Sequence, residues 1–595
     1  MDNRSRQQRG YSNSHPSAQR AGQRNARQNN PHSSRGHSAT TIGARLSGGR
    51  LAIILGLFAL VALILTLRLV WLQVIDAENI SNSGNSERTV TVDVMPRRGT
   101  IYDRNGVVLA TTVDANNVYC HPHMVPDDKK DTLANALAQI FGGDAKTYRE
   151  KIDKDTNFVY LVKNADTDKA QKIKDLGIEG VDLEDTSKRI YPCGSTASQI
   201  IGILNSDGEG ITGLELYYND ILGGKAGKKT TEYSKEGVPV PGSTVVESEV
   251  QNGQDIVLTI DIGLQERLET SLALRVETVE GTGGSGIVMD SSTGEIYACA
   301  SIPLFNITDL SEIKEGATNL SGISSSYEPG SIFKPVTMLA ALEAGTTKAG
   351  QVYTCPEVVY ADGYTISDAH SRSETDMDTR EIMAQSSNVG MSLIANDLSF
   401  KKLYEYIQRY QITENPNTDY PGSVSGYISN YQDWSDVQGY NISFGQGVSV
   451  TPMEMVRFYG ALANNGYAYT PHFLLSVPTQ QEQTTYEGTE IIENKQAISD
   501  LTYMMEGVVE EGTATDAQIE GYKVAGKTGT AEFASASGGY EKGVYDISFI
   551  GYLPDTSLNL VCFVGASGVP GDRKTSPAFQ DIMSYAIDRY NITQK

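Results

Sequence analysis

This 595-residue sequence predicts an α+β fold that follows a single membrane-spanning helix. Three observations carry the prediction. An apolar run occupies residues 51–75, an amphipathic helix and a β-hairpin follow residue 252, and three strand-like runs joined by glycine-rich turns lie near the end of the chain. Helices first and several neighbouring strands later predict an antiparallel sheet packed between helices.

A chain of this length is expected to form two to four domains. We predict a disordered basic tail over residues 1–50, a transmembrane anchor over 51–75, a mixed α/β domain over 76–250 and a larger α+β domain over 251–595. The pattern of predicted elements changes near Asn252, after which a strand, a long amphipathic helix and a hairpin follow in close succession.

The charge of the chain is unevenly distributed. Residues 1–50 hold nine arginines, no lysine and one acidic residue, which gives them a net charge of +8. Because the whole chain has a net charge of −24, residues 51–595 carry −32. A nucleic-acid-binding protein would be basic over its folded part, so a nucleic-acid partner is not expected. The tail is rich in Ser, Gln, Asn and Gly and has almost no apolar residues, which predicts disorder.

The apolar run LAIILGLFALVALILTLRLVWLQVI contains one charge, Arg68, and is long enough to cross a bilayer. A cleaved signal peptide is the alternative, but the run is too long for one and no A-x-A cleavage site follows it. The arginine excess before the run places the N-terminus in the cytoplasm. We therefore expect a single-pass membrane protein whose larger part is extracytoplasmic.

The five cysteines are odd in number, scattered, and without a C-x-x-C pair, so neither a disulfide framework nor a zinc site is expected. A single bridge between Cys120 and Cys193 stays open. The His121-Pro-His123 sequence is interpreted as a polar loop rather than a metal pair. No metal site is predicted.

The first chemical motif lies in the stretch SSYEPGSIFKPVTMLAALEAG, residues 325–345. Because Pro335 is tolerated only in the first turn of a helix, the helix is predicted to begin close to Ser331. Lys334 then shares a face with Ser331, and the positive end of the helix dipole favours an alkoxide and disfavours an ammonium there. An uncharged Lys334 could serve as base for a Ser331 nucleophile. Alone, this tetrad is more often an N-cap serine beside an exposed lysine.

Two further motifs make that chemistry specific. Ser386-Ser387-Asn388 is predicted to lie where a helix passes into a loop, and Lys527-Thr528-Gly529-Thr530 lies on a predicted strand. The order Ser-x-x-Lys, Ser-x-Asn, Lys-Thr-Gly, with 55 and then 141 residues between the motifs, is the signature of active-site-serine penicillin-recognising enzymes.

Each residue of the third motif has a predicted task. Gly529 would let a substrate peptide lie against the strand and add to its edge. Lys527 and the hydroxyls of Thr528 and Thr530 would hold a substrate carboxylate. The backbone N–H groups of Ser331 and Thr530 are the candidates for an oxyanion hole. The alternative for Lys527 is a solvated strand lysine.

The residues of the Ser386-Ser387-Asn388 motif have predicted roles in proton transfer. We expect Ser386 to relay a proton between the base and the leaving amine, and Asn388 to orient Lys334 and the substrate amide. Two ammonium groups in one cleft repel, so Lys527 should depress the pKa of Lys334. The alternative for Ser386 and Asn388 is local capping of the backbone.

With these motifs the chain resembles the class B penicillin-binding proteins, monofunctional peptidoglycan D,D-transpeptidases. The resemblance covers nearly everything after residue 50. It includes RRGTIYDRNGVVLA and residues 185–227 as pedestal motifs, NGQDIVLTIDIGLQ at the entry to the transpeptidase domain, YEPGSIFKP around the serine, ISFGQGVSVTPMEM and YDISFIGYLP. It implies a pedestal of the dimerisation type over 76–250 and a transpeptidase domain resembling serine β-lactamases over 251–595.

The resemblance also implies the reaction and the partners. Ser331 would attack the D-Ala-D-Ala bond of a peptidoglycan stem peptide, release D-Ala and pass the acyl group to an amine, and β-lactams would block it covalently. Gly445, Gln446 and Gly447 would shape the floor of the cleft. No cofactor is implied. A membrane glycosyltransferase and other division or elongation proteins are the implied partners.

Two alternatives to a D,D-transpeptidase stay open. One is a hydrolase, such as a D,D-carboxypeptidase or a β-lactamase, although no Glu-x-x-Leu-Asn segment follows Asn388. The other is a catalytically inactive scaffold of a cell-wall synthesis complex. The sequence does not distinguish division, elongation and sporulation.

Overall fold

The computed structural model describes residues 48–75, 89–232, 240–481, 484–534 and 540–595. Residues 1–47 of the predicted disordered tail lie outside this set. Two compact units are separated at residue 88, and each is described by itself.

The first unit holds one long apolar helix. Helix α1 (Gly48–Val70) continues into a π-helical turn, Trp71–Ile75. Within it, Ala52–Val74 has a mean hydropathy of 2.7, and by length and composition it can cross a membrane. This agrees with the anchor predicted over 51–75.

The first part of the second unit is the mixed α/β region expected before residue 250. Its strands are β1 (Thr89–Val94), β2 (Ile101–Tyr102), β3 (Val108–Cys120), β4 (Val159–Asp166), β5 (Val181–Ile190), β6 (Gly227–Glu232) and β7 (Val245–Ser248). Its α-helices are α2 (Asp127–Phe141), α3 (Ala145–Ile152), α4 (Thr167–Lys174), α5 (Ser198–Ile201), α6 (Gly213–Tyr217) and α7 (Asn219–Leu222). We call this region the pedestal.

The remaining part forms a larger α+β body. Its helices are α8 (Ile262–Thr278), α9 (Ser321–Ser324), α10 (Lys334–Glu343), α11 (Thr379–Ala384), α12 (Asn388–Leu398), α13 (Phe400–Arg409), α14 (Asp436–Ser443), α15 (Pro452–Ala463), α16 (Lys495–Glu510) and α17 (Ser576–Tyr590). Its strands are β8 (Ile256–Leu258), β9 (Gly283–Asp290), β10 (Ile296–Ile302), β11 (Val352–Cys355), β12 (Val358–Ala361), β13 (Tyr364–Ser367), β14 (Thr375–Asp378), β15 (Tyr467–Ala468), β16 (Leu474–Ser476), β17 (Thr489–Glu490), β18 (Ala525–Ala534), β19 (Tyr540–Tyr552) and β20 (Leu560–Pro570).

A five-stranded antiparallel sheet organises this body, in the order β10-β9-β20-β19-β18. Alternation along β9 shows that it is covered on both faces. A Cβ added at Gly284 or Gly286 would meet side chains of α8, whereas Ile287 and Met289 lie against α9 and α15. The predicted antiparallel sheet between helices is confirmed, and β18 is its edge strand.

The pedestal and the body share strand pairing and core packing on either side of residue 250. Strand β8 pairs in parallel with β2 of the pedestal and antiparallel with β16 of the body. One continuous hydrophobic core contains Ile101 and Ile200 of the pedestal together with Ile256, Leu264 and the sheet. A second, smaller core lies between β3, β4 and α2–α4. Among the described residues, the outer lobe of the pedestal has a separate core, whereas its inner part shares the core of the body, and the boundary near 250 stays a prediction.

A buried ion triad holds the inner pedestal together. Glu215, fully buried, accepts from Arg98 Nε at 2.5 Å and from Arg189 Nε at 2.9 Å. Arg98 also donates to Asn219 Oδ1 at 2.8 Å, and Arg189 donates to the Gly99 carbonyl at 2.7 Å. The pairs satisfy charges that burial would otherwise strongly disfavour.

All five cysteines are free thiols. Cys193 Sγ lies 3.6 Å from the Val108 carbonyl, which it approaches as a donor, and Cys120 is buried in the outer pedestal core. The Cys120–Cys193 bridge left open by the sequence is absent.

Candidate active site

The serine segment is a short 3₁₀ turn, Gly330–Phe333, that leads directly into α10. The helix therefore begins where Pro335 predicted. Gly330 has a φ of +56°, and a Cβ there would lie 2.5 Å from the Thr530 carbonyl oxygen. The Gly330 N–H donates to the Gly445 carbonyl at 3.0 Å. Glycine at 330 thus lets Ser331 sit between β18 and the Gly445 loop.

The Ser386-Ser387-Asn388 turn joins α11 to α12. Ser386 adopts a left-handed conformation, φ 57°, which is uncommon for a serine and has to be held by its surroundings. Ser387 caps α12 by accepting from the Gly390 N–H at 2.9 Å. Ser387, not Ser386 or Asn388, is the helix cap, which leaves the two flanking side chains available to the cleft.

Two lysines and this turn meet at one point. Lys334 Nζ lies 3.1 Å from Ser386 Oγ and 2.8 Å from Asn388 Oδ1, and it also donates to the Ser386 carbonyl. Lys527 Nζ lies 2.9 Å from the same Ser386 Oγ. Both lysine side chains are 0% exposed. The structure thus brings together residues from three separate motifs, and Lys527 is not a solvated strand lysine.

The Ser331 hydroxyl itself makes no hydrogen bond within the described part of the chain. The expected contact with Lys334 is replaced by the bonds from Lys334 to Ser386 and Asn388. Ser331 is partly exposed, whereas the residues that follow it are buried. Ser331 is therefore accessible and lies one helical turn before the buried Lys334.

Burial lowers the pKa of Lys334 to about 7, and the carboxylate of Asp368 opposes that shift. Burial also holds the pKa of Lys527 well below its usual range, and the charge of Lys334 adds to this effect. The expected low pKa of Lys334 is present, but its main cause is desolvation. The repulsion between the two amines lowers the pKa of Lys527 instead.

The partners of Lys334 fit both of its protonation states. A neutral amine has two N–H groups for the Ser386 carbonyl and Asn388 Oδ1, and a lone pair for the Ser386 hydroxyl. A protonated amine donates to all three. Only the hydroxyl proton of Ser386 has to turn when the charge changes, so a proton can pass between Lys334 and Ser386 without movement of the heavy atoms.

Along β18 the side chains alternate between the interior and the cleft. Lys527, Gly529 and Ala531 are buried, while Thr528 is partly exposed and Thr530 is exposed. The Thr528 hydroxyl is held by that of Thr513 at 2.8 Å. The threonines therefore lie on the accessible face of the edge strand, where the sequence analysis expects the substrate to bind.

Gly529 is needed for a different reason from the one expected. A Cβ at this position would point inward and lie 2.4 Å from Ser548 Oγ, 3.0 Å from Ile332 Cγ2 and 3.0 Å from the Pro329 carbonyl oxygen. It would collide with the serine segment rather than with a peptide in the cleft. Gly529 sets how closely β18 approaches Ser331.

The Gly445-Gln446-Gly447 loop supports the serine segment from the other side. Gly445 has a φ of +90°, and a Cβ there would lie 2.1 Å from the Gly330 carbonyl oxygen. The Gly447 N–H donates to Glu328 Oε1 at 3.0 Å, and the Gln446 N–H to the Asn441 carbonyl at 3.0 Å. The loop therefore adjoins the serine segment, and its role as the floor of the cleft stays a prediction.

Sequence reasoning missed Asp368, Ser367 and Thr513. Asp368 binds the Ser387 hydroxyl and the Val389 N–H, and the Ser367 carbonyl accepts from Asn388 Nδ2 at 3.0 Å. These residues belong to no recognisable motif, and their positions relative to the cluster depend on tertiary folding. No signal in a single sequence would have identified them.

Comparisons with known families and structures agree with this geometry. Residues 284–584 match the family model described as the penicillin binding protein transpeptidase domain, and residues 93–258 match the one described as the penicillin-binding protein dimerisation domain. Together the two models cover the pedestal, the sheet and all three motifs.

Individual relatives align over most of the chain. Stage V sporulation protein D of Bacillus subtilis is 31% identical over 88% of this chain and 82% of its own length. Peptidoglycan D,D-transpeptidase FtsI of Escherichia coli is 30% identical over 82% of each chain. The crystal structure of penicillin binding protein 2X from Streptococcus thermophilus superposes with a TM-score of 0.71 at 25% identity, covering 84% of this chain and 80% of that one.

Proposed function

The chain belongs to the class B penicillin-binding proteins, and on that basis we propose that it is a peptidoglycan D,D-transpeptidase that cross-links stem peptides through an acyl-enzyme on Ser331. The observation that carries the proposal is the convergence of Lys334 and Lys527 on Ser386 Oγ, at 3.1 and 2.9 Å, with the accessible Ser331 one helical turn before Lys334. Relatives that align along most of this chain bear the name peptidoglycan D,D-transpeptidase.

The first half-reaction forms the ester. Lys334, with a pKa of about 7, is substantially neutral near neutral pH. Once its lone pair turns from the Ser386 hydroxyl to Ser331, it takes the proton of Ser331 as Oγ attacks the carbonyl carbon of the penultimate D-Ala. The backbone N–H groups of Ser331 and Thr530 stabilise the oxyanion. The C–N bond then breaks, and the leaving nitrogen receives the proton from Lys334 through Ser386. Free D-Ala departs.

The second half-reaction reverses these transfers. An amine of a neighbouring stem peptide attacks the ester carbon, its proton passes to Lys334, and Ser331 is regenerated as the new amide forms. Thr528 and Thr530 bind the terminal carboxylate of the donor, the buried Lys527 lies behind them on Ser386, and Gly445, Gln446 and Gly447 form the floor beneath it. The free edge of β18 accepts the donor backbone as an added strand.

Covalent labelling tests the nucleophile. A fluorescent penicillin should label the full-length protein, and Ser331→Ala should abolish labelling. Ser326→Ala, which changes an exposed serine five residues earlier, is the matched control and should label normally. Labelling that persists in Ser331→Ala, with the adduct mapped by mass spectrometry to another residue, would overturn the assignment.

Acyl-enzyme lifetime separates the transpeptidase from a hydrolase. After excess penicillin is removed, the adduct should persist for hours, whereas a β-lactamase would clear it within seconds. A D,D-carboxypeptidase would release D-Ala from a stem peptide at the same rate with or without an acceptor amine. Absence of any adduct would support the inactive scaffold instead.

We further propose that α1 anchors the protein with its N-terminus in the cytoplasm and the catalytic body outside. The apolar span and the arginine excess before it support this orientation. Alkaline phosphatase fused after residue 75 should be active, and the opposite result would reverse the topology. A membrane glycosyltransferase is the proposed partner of the anchor and pedestal, and co-purification with and without residues 48–75 tests it.

The cellular process is division, elongation or sporulation. Depletion followed by microscopy distinguishes these roles: filaments indicate division, rounded cells indicate elongation, and normal growth with defective spores indicates sporulation.

A further inference from the structure

Asp368 is a nearly buried carboxylate that binds the catalytic turn from behind. Its two oxygens accept from Ser387 Oγ at 3.0 and 2.9 Å, and one of them accepts from the Val389 N–H at 3.0 Å. Arg372 Nε completes the set with an ion pair at 2.7 Å. Only 12% of the Asp368 side chain is exposed. The carboxylate thus lies at the positive N-terminal end of α12, where a negative charge is stabilised.

The residue before Asp368 orients the asparagine of the motif. The Ser367 carbonyl, at the end of β13, accepts from Asn388 Nδ2 at 3.0 Å. An amide group that donates there must present its oxygen to the opposite side, where Asn388 Oδ1 meets Lys334 Nζ at 2.8 Å. Ser367 and Asp368 therefore hold the three residues that follow the left-handed Ser386.

We propose that Asp368, together with its counterion Arg372, is a positioning residue for acylation: it holds the Ser386–Asn388 turn and sets the electrostatic field at the Lys334 amine. Asp368 touches neither substrate nor the reacting atoms, so it acts through Ser387 and Lys334. This inference rests on the proposed function and goes beyond it, because the three motifs do not include either residue.

The charged groups that face this site are few. Lys334 faces Lys527 from β18 and Asp368 from the segment after β13. Asp368 faces Arg372, which also donates to the Cys355 carbonyl, and the buried Cys355 thiol. Asp368 is the carboxylate that favours the protonated form of Lys334, opposing burial. An ordinary cap on α12 would supply the same hydrogen bonds without affecting how Lys334 titrates.

Variants that change the charge in opposite directions distinguish a positioning residue from an ordinary helix cap. Asp368→Asn removes the negative charge in a side chain of the same shape, and its amide oxygen can still accept hydrogen bonds. Arg372→Gln removes the positive charge and leaves Asp368 unneutralised. Asp376→Asn, an exposed carboxylate eight residues away that accepts from Thr354 at 2.7 Å, is the matched control.

The measurement is the second-order rate constant for acylation by a fluorescent penicillin. It is made on the full-length protein in detergent, from about pH 5 to about pH 9. The wild-type rate should rise through a midpoint near 7, the pKa of Lys334. Asp368→Asn should move the midpoint down by about one pH unit, the lower end of what one neighbouring opposite charge supplies. Arg372→Gln should move it up, and Asp376→Asn should leave it unchanged.

Shifts of opposite sign support the inference, because loss of a structural cap cannot raise the midpoint in one variant and lower it in the other. Unchanged midpoints, with rates equal to wild type or uniformly lower, overturn it. If Asp368→Asn does not fold, the upward shift in Arg372→Gln decides. Failure of the wild type to be labelled at Ser331 would refute the proposed function, a result distinct from labelling with unmoved midpoints.

Discussion

Gly529→Ala tests what fixes the spacing between the Lys-Thr-Gly strand and the nucleophile. The new methyl would lie 2.4 Å from Ser548 Oγ and 3.0 Å from both Ile332 Cγ2 and the Pro329 carbonyl oxygen. The Ser548 hydroxyl can rotate away at little cost. The other two contacts require β18 and the serine segment to separate by roughly half an ångström to reach ordinary van der Waals distances.

That separation has two measurable consequences. Overpacking a tight interior contact costs about 1–3 kcal/mol of the free energy of unfolding. A shift of about half an ångström between the nucleophile and the Thr530 N–H should slow acylation about tenfold, since a 1 Å misplacement costs on the order of a hundredfold. The assays are urea unfolding and the rate of labelling by a fluorescent penicillin.

The control is Gly283→Ala on β9 of the same sheet, where the nearest atom to the added Cβ is the Ile302 carbonyl oxygen at 3.4 Å. It should change neither quantity appreciably. Ser548→Ala should not rescue Gly529→Ala, because the Pro329 contact persists. Slower labelling with unchanged stability would refute the reasoning, since it would mean that the methyl obstructs ligand in the cleft.

The remaining predictions concern the ion triad, the cleft threonines and pH. Glu215→Gln leaves two buried arginines without their carboxylate and should lower the free energy of unfolding by about 3–5 kcal/mol. Asp114→Asn, which breaks an exposed ion pair, should lower it by less than about 1 kcal/mol. Urea unfolding of the two variants measures both values. Thr513→Val removes the bond that holds the Thr528 hydroxyl and should raise KM for donor peptides several-fold with little change in kcat, measured by D-Ala release; a fall in kcat alone would contradict that role. Because Lys334 must be neutral to act as base, acylation should fall about tenfold per pH unit below its pKa of about 7, and a rate independent of pH between about 5 and about 7 would exclude it.

The sequence predicted those features that depend on local chemistry or on motif order. Pro335 located the start of α10, because a proline ring fits only in the first helical turn. The three motifs identified Lys334, Ser386 and Lys527, which the structure brings within hydrogen-bonding distance. Apolar content identified α1 as a candidate membrane span. Each of these inferences rests on a short stretch of chain.

The features that could not be predicted depend on contacts between distant segments. The inward clash at Gly529 requires knowing that Ser548 and Pro329 lie beneath it. Asp368 acquires its role only when β13 is placed beside α12. The pairing of β8 with β2 joins the pedestal to the body across a boundary that changes in composition had suggested. Sequence periodicity indicates which face of an element is buried, but not which partner covers it.

The strand order of the central sheet has a consequence for biosynthesis. Strand β9 is buried along nearly its whole length, yet its neighbour β20 is made some 270 residues later, from Leu560 to Pro570. A nascent chain must therefore keep the β9–β10 hairpin, with one edge of β9 still unpaired, from aggregating until β20 has been synthesised. The same delay applies to the edge strand that carries Lys527: β18 and β19 are joined to β9 and β10 only through β20, so the five-stranded sheet cannot be completed before residue 570 has been made.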